Sequence, residues 1–236
     1  MSEIESGTQA GRWDERMIWR AGLPVRTAWM LAMLAFFFFV PMLRDKWVYD
    51  NWYHENLYDL DWARLLREIG WYPTWMIAAL ALWLTQRRID VVEAKRKALY
   101  LLAAPALAGI VCEVLKLSIR RVRPDVNAGE YGFRAWSESP FSTAGLATPS
   151  SHTMVAFAAA TALARLFPGA RWVWYSLAAG CAATRVLAHA HFLSDVTLGA
   201  FLGWSVGWGV WLALRRGAPV PRDSSTAWPR RSAEGD

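Results

Sequence analysis

The chain has 236 residues, 55% of them hydrophobic, and carries 26 Lys and Arg against 20 Asp and Glu, for a formal charge of +6. The apolar residues gather in long uncharged runs instead of interleaving with charge, which argues against a soluble domain and for membrane insertion. Most of the basic excess flanks those runs, so topogenic charge explains it and no nucleic-acid partner is expected.

In chain order, the first run is Thr27 to Leu43, with Phe36, Phe37, Phe38 and Phe39 at its centre. Glu3, Glu5, Asp14 and Glu15 precede it and no small-residue cleavage site follows, so it reads as a retained helix, not a signal peptide. The segment from Arg44 to Gly70 mixes Trp47, Trp52, Tyr53, Leu57, Tyr58, Leu60, Trp62 and Leu65 with acids and bases. It reads either as an amphipathic segment lying on the membrane surface or as a packed loop. Further runs cover Trp71 to Leu84, Ala98 to Leu115, Thr153 to Leu166, Trp172 to Ala188 and Val196 to Leu214. Several are near the lower limit of roughly 17 residues for a crossing, and the count of spans is six, give or take one. Trp47, Trp71, Trp172, Trp174 and Trp211 lie at run ends, the level of lipid headgroups. Cys112 and Cys181 fall inside runs, without disulfide or metal-ligand spacing, and read as packing residues.

The fold class expected is therefore all-α: an integral membrane helical bundle of about six transmembrane helices, forming one domain over residues 1–216. The Pro-, Arg- and Ser-bearing tail, residues 217–236, is expected to be disordered. The N-terminal segment with Arg12, Arg16, Arg20 and Arg26, the stretch from Arg87 to Lys97, the turn with Arg165 and Arg171, and the tail from Arg215 hold most of the basic residues. That side, with both termini, is expected to be cytoplasmic. The opposite side holds the Arg44 to Gly70 loop, the long loop around 116–151 and the turn near His191.

Three polar clusters share that opposite face. The first is Lys116, six residues, then Arg123-Pro124; a lone Lys at a helix end is ordinarily a snorkelling anchor. Pro149-Ser150-Ser151-His152 is the second, just before the fourth run, and Pro and Ser are common helix-start residues. The third is Thr184-Arg185, five residues, His191, three residues, Asp195, in which Arg185 at the edge of an apolar run needs a partner. Each alone is a modest signal, but a bundle brings all three to one pocket.

Together they resemble the type-2 phosphatidic acid phosphatase family, whose motifs are Lys-x6-Arg-Pro, Pro-Ser-Gly-His and Ser-Arg-x5-His-x3-Asp. Spacing agrees within all three motifs, over Lys116 to Asp195. Ser151 stands where the family usually has Gly, and Thr184 where it usually has Ser. The resemblance implies a metal-free, cofactor-free phosphatase in which His191 attacks phosphorus to give a phosphohistidine. Asp195 then holds the imidazole and His152 protonates the leaving oxygen. Lys116, Arg123, Ser150, Ser151 and Arg185 are the implied phosphate-binding residues. Their chemistry suits the task, since guanidinium forks and a lysine point charge match phosphoryl oxygens. Arg120, Arg121 and Arg134 lie outside the motifs on the same face, either as headgroup contacts or as surface charge. His189, outside the motif, reads as a packing residue.

The reaction expected is hydrolysis of a lipid phosphate monoester or diphosphate at the outer face of a bacterial cytoplasmic membrane. Undecaprenyl diphosphate, phosphatidylglycerophosphate, phosphatidate and lipid A are the candidates. A protein that binds or translocates phospholipid without cleaving it is one alternative. An oxidative enzyme of the vanadium haloperoxidase type, whose oxyanion pocket is similar, is another. Membrane lipids are the other partners expected.

Overall fold

A computed structural model of the chain describes residues 23–216, and the expected tail at 217–236 and the basic N-terminal residues Arg12, Arg16 and Arg20 lie outside them. Every described element is helical: α1 Leu23–Met42, α2 Asp45–Asn51, α3 Asp61–Glu68, α4 Tyr72–Gln86, α5 Val91–Ile119, α6 Ser151–Leu166, α7 Arg171–Leu187 and α8 Leu193–Arg216. Short 3-10 turns precede α3 and α7. The six apolar runs coincide with α1, α4, α5, α6, α7 and α8.

Among the described residues, α5 and α8 are each long and apolar enough to cross a membrane alone. The α1 and α2 pair gives a third span if its 44° bend is one broken crossing. The other three helices have 15, 16 and 17 residues. At ~1.5 Å per residue they fall short of the ~30 Å hydrocarbon layer. In α6 the shortfall has a physical context, because it is buried nearly all round, from Thr153 through Leu163, as expected for a helix inside a bundle. Its packing surface is mostly alanine: Ala156, Ala158, Ala159, Ala160 and Ala162.

Small residues set how closely the helices approach. Gly199, Gly203 and Gly207 repeat every fourth residue along α8 and face α6. A Cβ on Gly203 would lie 2.3 Å from the carbonyl oxygen of Met154, so no other residue fits at this backbone separation. Tyr100 on α5 donates to the Gly207 carbonyl at 3.0 Å, tying a third helix to the same stripe. Cys112 and Cys181 are buried in separate apolar clusters, on α5 and α7. Large apolar side chains on the outer faces, including Trp29, Ile77, Leu80, Ile110 and Val114, remain exposed, a distribution that suits lipid as the surrounding solvent.

Three of the helix starts that differ from the run boundaries do so by a polar first turn. α5 begins at Val91, not near Ala98, because the Asp90 side chain caps it by accepting from Glu93 N at 2.9 Å. α6 begins at Ser151, which brings Ser151 and His152 into its first turn. α8 begins at Leu193 and so includes Asp195.

The Arg44 to Gly70 segment combines both of its expected characters. Ala63 of α3 is fully buried, and Leu66 abuts Gly180 of α7. Trp47, Trp52, Tyr53, Trp62 and Leu65 point outward and are exposed.

Candidate active site

All three polar clusters come together where the start of α6, the end of α5 and the α7–α8 turn meet. Lys116, in the last turn of α5, is buried and donates to Ser151 Oγ at 3.1 Å. Its other neighbour is Glu113, at 3.5 Å and half exposed. The residue that departs from the usual glycine therefore holds the lysine directly. Ser150 is fully buried; its amide donates to the Asp195 carbonyl at 3.2 Å, and its Oγ accepts from Thr153 Oγ1 at 3.1 Å. This backbone bond joins the second cluster to the third.

The third cluster is built on one carbonyl. Arg185, near the end of α7, accepts at its backbone oxygen from the amides of Ala190 at 3.1 Å and His191 at 3.2 Å. The turn thus folds back on the arginine, and His191 is set at a fixed place beside it. The Arg185 side chain is buried and donates to Tyr58 Oη at 2.6 Å. Tyr58 in turn donates to the Thr184 carbonyl at 3.3 Å.

His152 stands close enough to Arg185, His191, Arg67 and Lys116 for their charges to act on it. Gly70 lies against its backbone, and a Cβ there would come within 2.6–2.8 Å of His152 Cβ, O and Cα. Arg123 is close enough to Arg185 to repel its charge.

His191 is buried, and its Nδ1 is 3.8 Å from Asp195 Oδ2, beyond hydrogen-bond reach. Asp195 is held elsewhere, by the Phe192 amide on Oδ2 at 2.8 Å and by a hydrogen bond from Thr148 on Oδ1. Burial pushes the His191 imidazole down to about 4, against the opposing pull of Asp195, and the Arg185 and Lys116 cations add to the depression. The folded protein therefore keeps this imidazole neutral, the form in which a ring nitrogen can act as a nucleophile.

Asp45 is the residue that sequence reasoning missed. It is fully buried at the start of α2 and pairs with Arg121 Nη2 at 3.0 Å. It also accepts from the Ser194 amide at 2.8 Å, the Ser194 hydroxyl, and Tyr131 Oη at 3.0 Å. Arg121 Nη1 donates to Ser194 Oγ at 3.0 Å and lies 3.5 Å from Asp195 Oδ1. Its guanidinium is sandwiched by Tyr131 and Phe192, at 4.2 and 4.1 Å from the ring centres. No local spacing announces Asp45, which reaches Ser194 across 149 residues of sequence.

The three arginines outside the motifs are thus turned inward. Arg121 has the buried partners just described. Arg120, buried and left-handed at φ 58, donates to the carbonyls of Arg134, Ala135, Glu138 and Pro140. Arg134 donates to the carbonyls of Ala144 and Ser142. These contacts hold the 120–150 loop in shape. His189 stacks on Tyr49 at 3.9 Å and bonds to its carbonyl at 2.9 Å, a packing position.

In contrast, the Arg123 guanidinium forms no hydrogen bond or ion pair among the described residues, and Arg185 has only Tyr58. Arg123 Nε, Arg185 Nε and His191 Nδ1 are buried without a hydrogen-bond partner, as are Arg121 Nε and Arg134 Nε, so the contrast lies in the acids and carbonyls that the other guanidinium nitrogens reach. A buried guanidinium without an acid is costly, so Arg123 and Arg185 mark a candidate place for an oxyanion. No group of three His, Cys, Asp or Glu among the described residues is arranged to hold a metal ion.

Comparison with known proteins bears on the family of the chain. The sequence model of the PAP2 superfamily matches residues 97–217, just over half of the chain. A lipid A 1-phosphatase of Rhizobium etli is 38% identical over 108 residues, covering 44% of this chain and 45% of that protein. One from Porphyromonas gingivalis is 42% identical over 94 residues, 37% of this chain and 20% of its own length. A third, from Rhizobium johnstonii, is 34% identical over 117 residues, 49% of this chain and 44% of that protein. The chain thus spans less than half the length of each of these relatives. No solved structure matches.

Proposed function

We propose that this chain, which belongs to the PAP2 superfamily, is a membrane phosphatase that hydrolyses a phosphate monoester or anhydride carried on a lipid. The observation that carries the reading is the convergence of Arg123 and Arg185, neither paired with an acid, with Lys116 around a buried neutral His191. Phosphoryl transfer asks the protein mainly for positioning and for cations around the equatorial oxygens, and that is what this residue set offers.

In the proposed mechanism, Arg123, Arg185 and Lys116 bind the phosphoryl oxygens, with the Ser150 and Ser151 hydroxyls and the first amides of α6 beside them. His191 attacks phosphorus and forms a P–N bond as the P–O bond to the lipid breaks. His152, which takes up a proton together with the arriving phosphate, gives that proton to the departing oxygen. Water then attacks the phosphohistidine, with His152 as base, releasing inorganic phosphate and restoring the imidazole. The distance of 3.8 Å between His191 Nδ1 and Asp195 closes when the ring becomes cationic, since the carboxylate then attracts it as an ion.

A lipid substrate is supported by the names of the relatives and by a cavity of about 310 Å³ beside the α7–α8 turn. Val186, Leu193 and Val196 line it together with a row of α7 alanines, a surface suited to an acyl chain. Lipid A bearing a 1-phosphate is accordingly the first substrate to try. The charge distribution supports a site on the outer face of a bacterial cytoplasmic membrane.

The test is phosphate release by detergent-purified protein from lipid A 1-phosphate, undecaprenyl diphosphate, phosphatidylglycerophosphate and phosphatidate, in EDTA, beside His191→Ala. Release by the wild type, with a loss of at least about 10³-fold in the variant, is the expected result. Binding of these lipids without release overturns the reading in favour of a non-cleaving carrier. Activity that disappears in EDTA and returns with magnesium overturns the metal-free mechanism.

A further inference from the structure

At the end of the bundle opposite the site, α5, α6 and α8 enclose a second cavity, of about 220 Å³. Four cations line it: Arg96 and Lys97 from the first turns of α5, Arg165 from the end of α6 and Arg215 from the end of α8. Glu93 is the single acid among the lining residues, and it is shared between Arg96 at 2.9 Å and Lys97 at 3.8 Å. Arg165 and Arg215 form no hydrogen bond or ion pair among the described residues. Each is instead held against an indole: Arg165 lies 3.6 Å from the Trp208 ring centre and Arg215 5.6 Å from that of Trp211. Stacking fixes a guanidinium plane while leaving its N–H edge free to donate. The cavity thus has a net lining charge of three positive, and two of its cations, Arg165 and Arg215, have no acceptor among the described residues.

Its depth identifies the kind of anion. From Lys97 to Lys116, α5 runs about 28 Å at ~1.5 Å per residue, close to the ~30 Å hydrocarbon thickness. The cavity therefore sits one bilayer thickness from the phosphatase site, at the headgroup level of the other leaflet. Topogenic charge explains why basic residues occur on that side. It does not explain why four of them converge from three helices onto one cavity floored by Trp211 and Tyr100.

We propose that this cavity is a binding site for a phosphate group, carried on an anionic lipid of the far leaflet or free in solution, and separate from the catalytic one. The lipid-borne form fits the lining best, because Leu166 and Leu214 supply an apolar wall beside the cations. The site does not depend on which substrate is hydrolysed, or on hydrolysis at all.

Native mass spectrometry of the detergent-solubilised full chain tests it, with phosphatidylglycerol and phosphatidylcholine supplied together. Wild type is expected to retain phosphatidylglycerol selectively. Arg165→Gln with Arg215→Gln lowers that affinity about 25-fold, roughly fivefold per cation, and leaves phosphatidylcholine unchanged. Because Arg215 is exposed at a helix end, Arg215→Gln alone keeps the fold and still shows the fivefold loss. A parallel titration with inorganic phosphate, read as thermal stabilisation, separates the two sources. Stabilisation of wild type but not of the double variant assigns free phosphate, whereas discrimination by phosphatidylglycerol alone assigns the lipid. If the variants match wild type in both assays, the site does not exist. Measuring phosphate release in the same preparations keeps this outcome distinct from failure of the phosphatase reading.

Discussion

Two regions meet at His191, and they treat arginine in opposite ways. On the Asp45 side, Arg121 is buried between two carboxylates, a serine hydroxyl and two aromatic rings, so its charge is spent internally. On the His152 side, the Arg185 guanidinium has one neutral partner and that of Arg123 has none among the described residues. Desolvating a cation without an anion is unfavourable, and the proposed function offsets that cost with the phosphate of the substrate. On that proposal the paired region supplies shape and the unpaired region supplies affinity.

The sharpest way to break this contrast is to remove the paired arginine. Arg121→Gln leaves Asp45 and Asp195 buried without their cation and should cost about 3–5 kcal/mol of stability, read as a large drop in melting temperature. A variant that melts like wild type, with a raised KM for a diphosphate lipid, would instead make Arg121 a headgroup contact. Arg185→Gln should do the reverse. It keeps the fold and lowers kcat/KM by about 10²–10³, the ~2.7–4 kcal/mol typical of a lost oxyanion contact.

pH tests the same division through His191. Its ordinary value of 6.5 is pushed down to about 4 in the folded state. As pH falls below 6.5 the unfolded chain takes up the proton first, so the histidine's contribution to stability declines from pH 6.5 until the folded imidazole titrates near 4. Above 6.5 that contribution is complete. For activity, the neutral nucleophile persists through pH 5 and 6. The acidic limb of kcat/KM that reports His191 should therefore lie near 4, and a limb near 6.5 would show that the imidazole is not desolvated in the working enzyme. The smallest effect is expected from Ser151→Gly, which removes the hydroxyl that anchors Lys116 at 3.1 Å. Activity should change by less than about tenfold, the ~1.4 kcal/mol of a modest hydrogen bond. A larger fall would make the Ser151 hydroxyl a direct phosphate ligand.

Much of this architecture was legible in the residues. The apolar runs mark the six longer helices because uncharged length is a strong signal, and the three motifs converge because their spacing fixes them to helix ends on one face. Helix starts were less legible, although Asp90 followed three residues later by Glu93 is a capping signal that extends α5 by two turns. What could not be read was the direction of arginines in a loop. Arg120, Arg121 and Arg134 carry the same local pattern as surface charge, and only the tertiary course of the 120–150 loop turns them onto carbonyls and Asp45. Tyr58 and Thr148 were invisible for the same reason: each meets the site only through side-chain contacts with residues far away in the chain.

The glycine stripe on α8 carries a mechanical consequence. With Gly203 seated on the Met154 carbonyl and the Ser150 amide bonded to the Asp195 carbonyl, α6 and α8 can neither slide nor separate without breaking backbone contacts. The two helices behave as one strut, and the second and third clusters ride on its tip. Any opening that admits a bulky headgroup must therefore hinge elsewhere. One element that leans on α7 and not on that strut is α3, through Leu66 and Gly180, and its Trp62 and Leu65 are exposed.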